Sequence, residues 1–154
     1  MANKDAVGIE GPHFDVWVER GKIREFARAT GSAAPEYLER EDAVIPPTFL
    51  ATTAFWEPPE GRELFAKIDL DNRRVLHGGQ EYVFFGQPPR AGQRLKAHSV
   101  VEEIYDKEGR RGGTMTFVVT RTDFSDADGT VVAQARTTII ETGKPATAPA
   151  DEGS

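Results

Sequence analysis

The 154-residue chain contains no cysteine. Disulfides, a thiolate nucleophile and a thiolate-ligated metal are therefore excluded. It has three histidines, two tryptophans and two methionines, and its His and carboxylate residues never fall in pairs at metal-ligand spacing, so neither a metal nor any other cofactor is expected. Long apolar runs are missing too. Nothing approaches a membrane span, and Met1-Ala2-Asn3-Lys4-Asp5 carries no apolar leader segment, which implies a soluble, cytoplasmic protein. Excess positive charge is absent: the net charge is -6 and Lys and Arg are dispersed. A nucleic-acid or anionic-membrane partner is accordingly not expected. No Gly-x-Ser-x-Gly elbow occurs, and Gly112-Gly113 falls in a hairpin rather than between a strand and a helix, so neither a serine hydrolase nor a phosphate loop is indicated.

What is present is ordinary globular material, 38% hydrophobic and 29% charged, of a length suited to one domain. Residues 1–12 are polar and Gly-rich, and residues 144–154 are Ala/Pro/Thr/acidic without periodicity. Both ends are expected to be flexible or only lightly docked, flanking a domain over 13–143. Within it, Phe14 to Glu19 alternates as a short strand. Lys22 to Thr30 carries Ile23, Phe26 and Ala27 at helical spacing, closed by Gly31. Ile45-Pro46-Pro47-Thr48-Phe49-Leu50 begins a second helix, ended by Pro58-Pro59, and residues 60–74 read as a charged connection. Four strand candidates follow: Gln80 to Phe85, Arg94 to Tyr105 with a bulge at Val100-Val101, Arg111 to Asp123 with Met115, Phe117 and Val119 on one face, and Val131 to Glu141. Turn chemistry at Asp106–Gly109 and Ser125–Gly129 makes these antiparallel. Helices first and a meander after predict an α+β fold, with the helices on one face of an antiparallel sheet.

Two short stretches carry a family resemblance. Ala27-Arg28-Ala29-Thr30-Gly31-Ser32-Ala33-Ala34-Pro35-Glu36-Tyr37 resembles the loop of MaoC-like (R)-specific enoyl-thioester hydratases and dehydratases, which reads Gly-Asp-x-Asn-Pro-x-His. Pro88-Pro89-Arg90-Ala91-Gly92-Gln93-Arg94-Leu95 resembles the family's turn before its long strands. With the element order, the similarity spans about residues 14–142 and most resembles the N-terminal-type, non-catalytic domains. It implies a hot-dog fold, an antiparallel sheet wrapped around a central helix. It also implies an acyl-CoA or acyl-carrier-protein thioester as ligand, and a homo-oligomer or a heterodimer with a catalytic MaoC-type subunit.

The resemblance also exposes a loss. The family's loop Asp and His share the acid/base work, and the matching positions here are Ser32 and Tyr37, with Ala34 replacing the Asn. An unactivated hydroxyl is a poor base, and a phenol with a pKa near ~10 does not replace an imidazole. No catalytic residue is therefore expected, and the chain reads as one component of a hydro-lyase. Substrate-binding candidates are the amides of Thr48 and Phe49 at the start of the central helix, together with His77, Gln80 and Glu81. The last three lie in Val75-Leu76-His77-Gly78-Gly79-Gln80-Glu81, which resembles a His-Gly-x-Gln element of N-terminal-type domains. The alternative for Thr48 and Phe49 is a plain Pro-initiated core helix, and for His77 a turn-capping role. His13 and His98 read as surface or satisfied strand residues. Trp17, Phe55 and Trp56 serve an acyl tunnel or simple packing equally well. Two rival functions stay open: a self-sufficient homodimeric hydratase or thioesterase using His77 or Glu81, and a non-enzymatic acyl-CoA-binding dimer.

Overall fold

A computed structural model of the chain describes residues 2–109 and 113–143, apart from the side chain of Arg62. Five strands form one antiparallel sheet: β1 Glu10–Trp17, β2 Val75–Phe84, β3 Arg94–Glu108, β4 Thr114–Ser125 and β5 Val131–Glu141. Their order across the sheet is β1-β3-β4-β5-β2, so β1 and β2 are the edges. Helix α1 (Arg20–Ala29), the single turn α2 (Pro35–Leu38) and a 3-10 segment Phe49–Phe55 lie between β1 and β2. The expected bulge is present, as a register shift between Val101 and Glu103 against β4. The tail 144–154 lies outside the described residues, as does the centre of the β3–β4 turn with Gly112.

Phe49 and Leu50 of the 3-10 segment are buried with Val16, Ile23, Leu95, Ala97, Phe124 and Ala133 in the larger of two apolar clusters. One face of the sheet thus packs across the central segment, which is the hot-dog arrangement. The central segment is a 3-10 helix where a regular helix was expected. It is confined between Pro46-Pro47 and Pro58-Pro59, and its bonds run three residues back, from Phe49 N to Pro46 O and from Ala51 N to Thr48 O. Thr53 Oγ1 also donates to Leu50 O at 2.7 Å. A short segment between proline pairs, with the β-branched pair Thr52-Thr53, settles into this tighter helix.

The residues of the charged connection 60–74, whose structure the sequence leaves open, are ordered. They hold α3 (Gly61–Ile68), whose Leu64 and Ile68, one turn apart, are buried in the second apolar cluster. Asp69 ends it in the left-handed region at φ 57, a conformation that Asp tolerates better than most residues. The N-terminal residues read as loose are docked on this cluster. Ala2 and Ala6 are buried there beside Val101 and Val118, and the backbone bonds from Asn3 N to Ile68 O and from Gly8 N to Val101 O at 2.8 Å. Small apolar residues suffice because the surface they meet, Leu64, Ile68 and Val101, is already apolar.

In β4 the buried face is Thr116, Val118, Thr120 and Phe124, not that of Met115, Phe117 and Val119. Phe117 stacks on Tyr105 on the other side of the sheet, with ring centroids 5.1 Å apart, and Lys107 lies over both rings.

Candidate functional site

Register places two rungs side by side on the inner face of the sheet. One runs Ser99, Thr122, Ala135, Tyr82, and the next runs Val101, Thr120, Thr137, Gln80. The rung before them, Ala97, Phe124, Ala133, Phe84, belongs to the larger cluster. Beyond them Val118 belongs to the smaller one. The inner face therefore goes from apolar to hydroxyl-bearing and back to apolar. Above the hydroxyl band the central segment offers Ala51, Thr53 and Ala54, which are too small to reach the sheet. A cavity of about 270 Å³ is left between them. Leu50, Phe124 and Phe14 line it on the side of the larger cluster and Leu64 on that of the smaller, and Glu57 with the exposed Phe65 and His77 complete the lining.

The band is hydrogen-bonded within itself. Ser99 Oγ and Thr122 Oγ1 are 2.8 Å apart. Thr137 Oγ1 donates to Gln80 Oε1 at 2.9 Å, and Gln80 Nε2 donates to the Arg136 carbonyl at 3.2 Å. Burial raises the Tyr82 phenol above its ordinary value, so it stays a neutral hydroxyl throughout the physiological range. Around the band the lining is aliphatic and aromatic, the usual character of a site for an apolar ligand with a few orienting polar groups.

The expected residues divide. His77 and Gln80 line the cavity. Glu81, next along β2, points to the opposite face and sits 3.7 Å from Arg136, as strand alternation requires. There Arg136 and Arg121 also bond Glu102; these hydrogen bonds, chiefly that from Arg136, hold the Glu102 carboxyl below its ordinary value. Thr48 is exposed and Phe49 is buried in the larger cluster; the Phe49 amide already donates to Pro46 O at 2.9 Å. That amide is not available as an oxyanion donor, because a 3-10 helix spends it one residue earlier than a regular helix would. Ser32 and Tyr37 lie outside the cavity lining. Ser32 Oγ accepts from the Ala34 amide at 3.4 Å, and Tyr37 packs against the larger cluster.

Of the tunnel candidates, Trp56 packs on the larger cluster. Phe55 is 81% exposed, and Trp17 lies under the Arg94 guanidinium at 4.8 Å. His13 and His98 face each other across β1 and β3, stacked with centroids 4.0 Å apart, and Glu10 lies 3.5 Å from His98. Among the described residues no three His or carboxylate groups converge as a metal site.

Two features went unread in the sequence. Glu57 is the one carboxylate of the cavity lining, and its side chain packs on Gly61, where an added Cβ would approach it to 2.4 Å. The threonine band had a signal, since Thr120 and Thr122 alternate with Arg121 and Asp123. The sequence did not show that the threonines face inward. At Gly78 there is no room for a side chain where Ile140 stands, since a Cβ there would come within 2.7 Å of it.

Comparison with known proteins agrees with this geometry. Residues 5–135 match the family model described as FAS1-like, dehydratase domain region. A Streptomyces griseus relative named UPF0336 protein is 33% identical over 132 residues, covering 80% of this chain and 83% of the relative. The HadBC (3R-hydroxyacyl-ACP dehydratase) complex of Mycobacterium tuberculosis has a chain that superposes with a TM-score of 0.70 at 26% identity, over 88% of this chain and 97% of that one. A chain of the ChsH1-ChsH2 complex from the same organism gives 0.66 at 17% identity over 97% and 93%, a likeness of fold. Sequence, register and superposition converge: the chain belongs to the family described as FAS1-like, dehydratase domain region, and its hot-dog fold is that of the MaoC-like dehydratases.

Proposed function

We propose that the chain is a subunit of an (R)-specific 3-hydroxyacyl-thioester dehydratase, or enoyl-thioester hydratase. In this reading it shapes the acyl site, while a catalytic MaoC-type chain supplies the acid and base. Adding water to a trans-2-enoyl thioester places hydroxide on C3 and a proton on C2. A base must activate the water, and an acid must deliver the proton. The observation that carries the reading is a 270 Å³ cavity built under the dehydratase fold, with Ser32 and Tyr37 in place of the family's Asp and His and neither lining it. Ser32 is engaged by its own loop and Tyr37 packs half-buried against the larger cluster, so neither is poised as a base. Similarity to chains of two-component complexes and the exposed edge strand β2 favour a second chain beside this one. Acyl-CoA and acyl-carrier-protein thioesters are both compatible ligands, and no helix among the described residues is long and apolar enough to cross a membrane. We place the complex in the cytoplasm.

One observation favours a second reading. His77 and Glu57 both line the cavity, so an imidazole and a carboxylate are within reach of a bound acyl group, as a self-sufficient homodimeric hydratase or thioesterase would need. Hydration of trans-2-octenoyl-CoA separates the readings, measured with the purified chain alone and with a co-expressed chain that carries the Gly-Asp-x-Asn-Pro-x-His loop. Turnover with both chains and none with either alone is expected. Turnover by this chain alone, lost in His77→Ala, would establish the second reading instead. Acyl-CoA binding without turnover in either arrangement would indicate a binding protein.

A further inference from the structure

We propose that the cavity selects acyl thioesters of about ten carbons or fewer that carry a polar group on the chain, through the band of Ser99, Thr120, Thr122, Thr137 and Gln80. The inference rests on the acyl-site reading above and names its substrate class. Length follows from volume. A closed, dry cavity of ~150 Å³ holds one benzene, six carbons; by that scale the 270 Å³ here, open to solvent on one side, shelters about ten.

Polarity follows from where the hydroxyls lie. The band separates the two apolar clusters, so a chain entering past His77 and Phe65 must cross it to reach Leu50 and Phe124. The Ser99–Thr122 contact uses one hydroxyl hydrogen, and the second O–H of that pair is left to donate into the cavity. Thr137 donates to Gln80 and keeps its lone pairs for a donor from the ligand. A donor and an acceptor on adjacent rungs match a hydroxyl, which is both. A plain alkyl chain would dry this band without replacing its water contacts, a cost that falls on the unsubstituted substrate. Aliphatic residues at the same positions would have extended the apolar core without interruption. The band thus sets specificity and takes no part in the chemistry.

Calorimetric binding to the full chain, with its partner present where one co-purifies, provides the test. The probes are octanoyl-CoA, 5-hydroxyoctanoyl-CoA, 8-hydroxyoctanoyl-CoA and hexadecanoyl-CoA. At least one hydroxyoctanoyl probe should bind about tenfold tighter than octanoyl-CoA (~1.4 kcal/mol), and hexadecanoyl-CoA no tighter than octanoyl-CoA. Thr122→Val with Thr137→Val should erase the preference, in part by tightening octanoyl-CoA, which then no longer dries those hydroxyls; Ser99→Ala, a smaller change, should reduce it if the double variant does not fold. Octanoyl-CoA binding as tightly as both hydroxylated probes would overturn the inference and leave the acyl site standing. The same holds if hexadecanoyl-CoA binds tightest, or if the preference survives the substitutions. Failure of every probe to bind would overturn the acyl-site reading itself.

Discussion

Replacing Arg74 by Met should destabilise the protein by about 3 kcal/mol, near the lower end of the cost of stripping a buried charge of its partner. Glu141, near the end of β5, is 1% exposed. Its Oε1 accepts from Arg74 Nη2 at 2.6 Å and from the Asp71 amide at 3.4 Å. The Arg74 side chain is itself 19% exposed and reaches Asp71 at 3.2 Å, while its carbonyl accepts from the Thr142 amide at 2.9 Å. This clamp fixes the turn Asn72–Arg74 to β5 and so sets where β2 begins, two residues before His77. Met keeps the apolar length of the side chain and removes the charge. The carboxylate keeps the Asp71 amide, which is why the lower end of the range applies. For a chain of this size each kcal/mol moves Tm by roughly 2–4 °C, so a fall of about 6–12 °C is expected by thermal unfolding followed by circular dichroism. Arg74→Met with Glu141→Leu should recover most of it, because two apolar groups leave no charge to strand. A fall below about 2 °C, or a double variant no better than the single, would refute the clamp.

Ala135→Leu places a larger side chain at the floor of the cavity; octanoyl-CoA affinity should fall at least about tenfold by calorimetry while Tm holds, since the space being filled is open to solvent. Hydrogen bonds from the Arg73 side chain and backbone, the side chain's first, lower the Asp71 carboxyl to about 2. A depressed carboxylate contributes stability that is present above its unfolded value and lost as pH falls through the folded one. Asp71→Asn should therefore lower Tm at pH 7, with the difference shrinking between about pH 4 and pH 2; a difference constant over that window would contradict the assignment.

The strands were the most legible part of the fold. Alternation in β5 gave its limits, and the Val100-Val101 pair marked the bulge, because a period of two has little competition in a meander. Helix α3 was hidden because Leu64 and Ile68 are separated by Phe65, Ala66 and Lys67 in a short, charged stretch. Its burial depends on Ala2, Ala6 and Val101, which are distant in sequence. The face of β4 was ambiguous because both of its faces carry apolar residues, and the threonine face is the buried one. Alternation shows which residues share a face, but not which rung the central segment leaves uncovered. His77 and Gln80 were thus found as candidates, whereas Glu57 and the hydroxyl band needed the register. The Phe49 amide, expected as a donor, is spent on Pro46 because helix type, which decides where it goes, is not encoded in the Pro46-Pro47 signal.

The central claim is that this chain holds the acyl group and does not by itself transform it. Its most direct test is to give the purified chain trans-2-octenoyl-CoA, recording calorimetric binding and hydration on the same sample. Saturable binding with no hydration above the buffer rate is the expected result. Hydration at an enzymatic rate by the chain alone, falling to the buffer rate in His77→Ala, would contradict it.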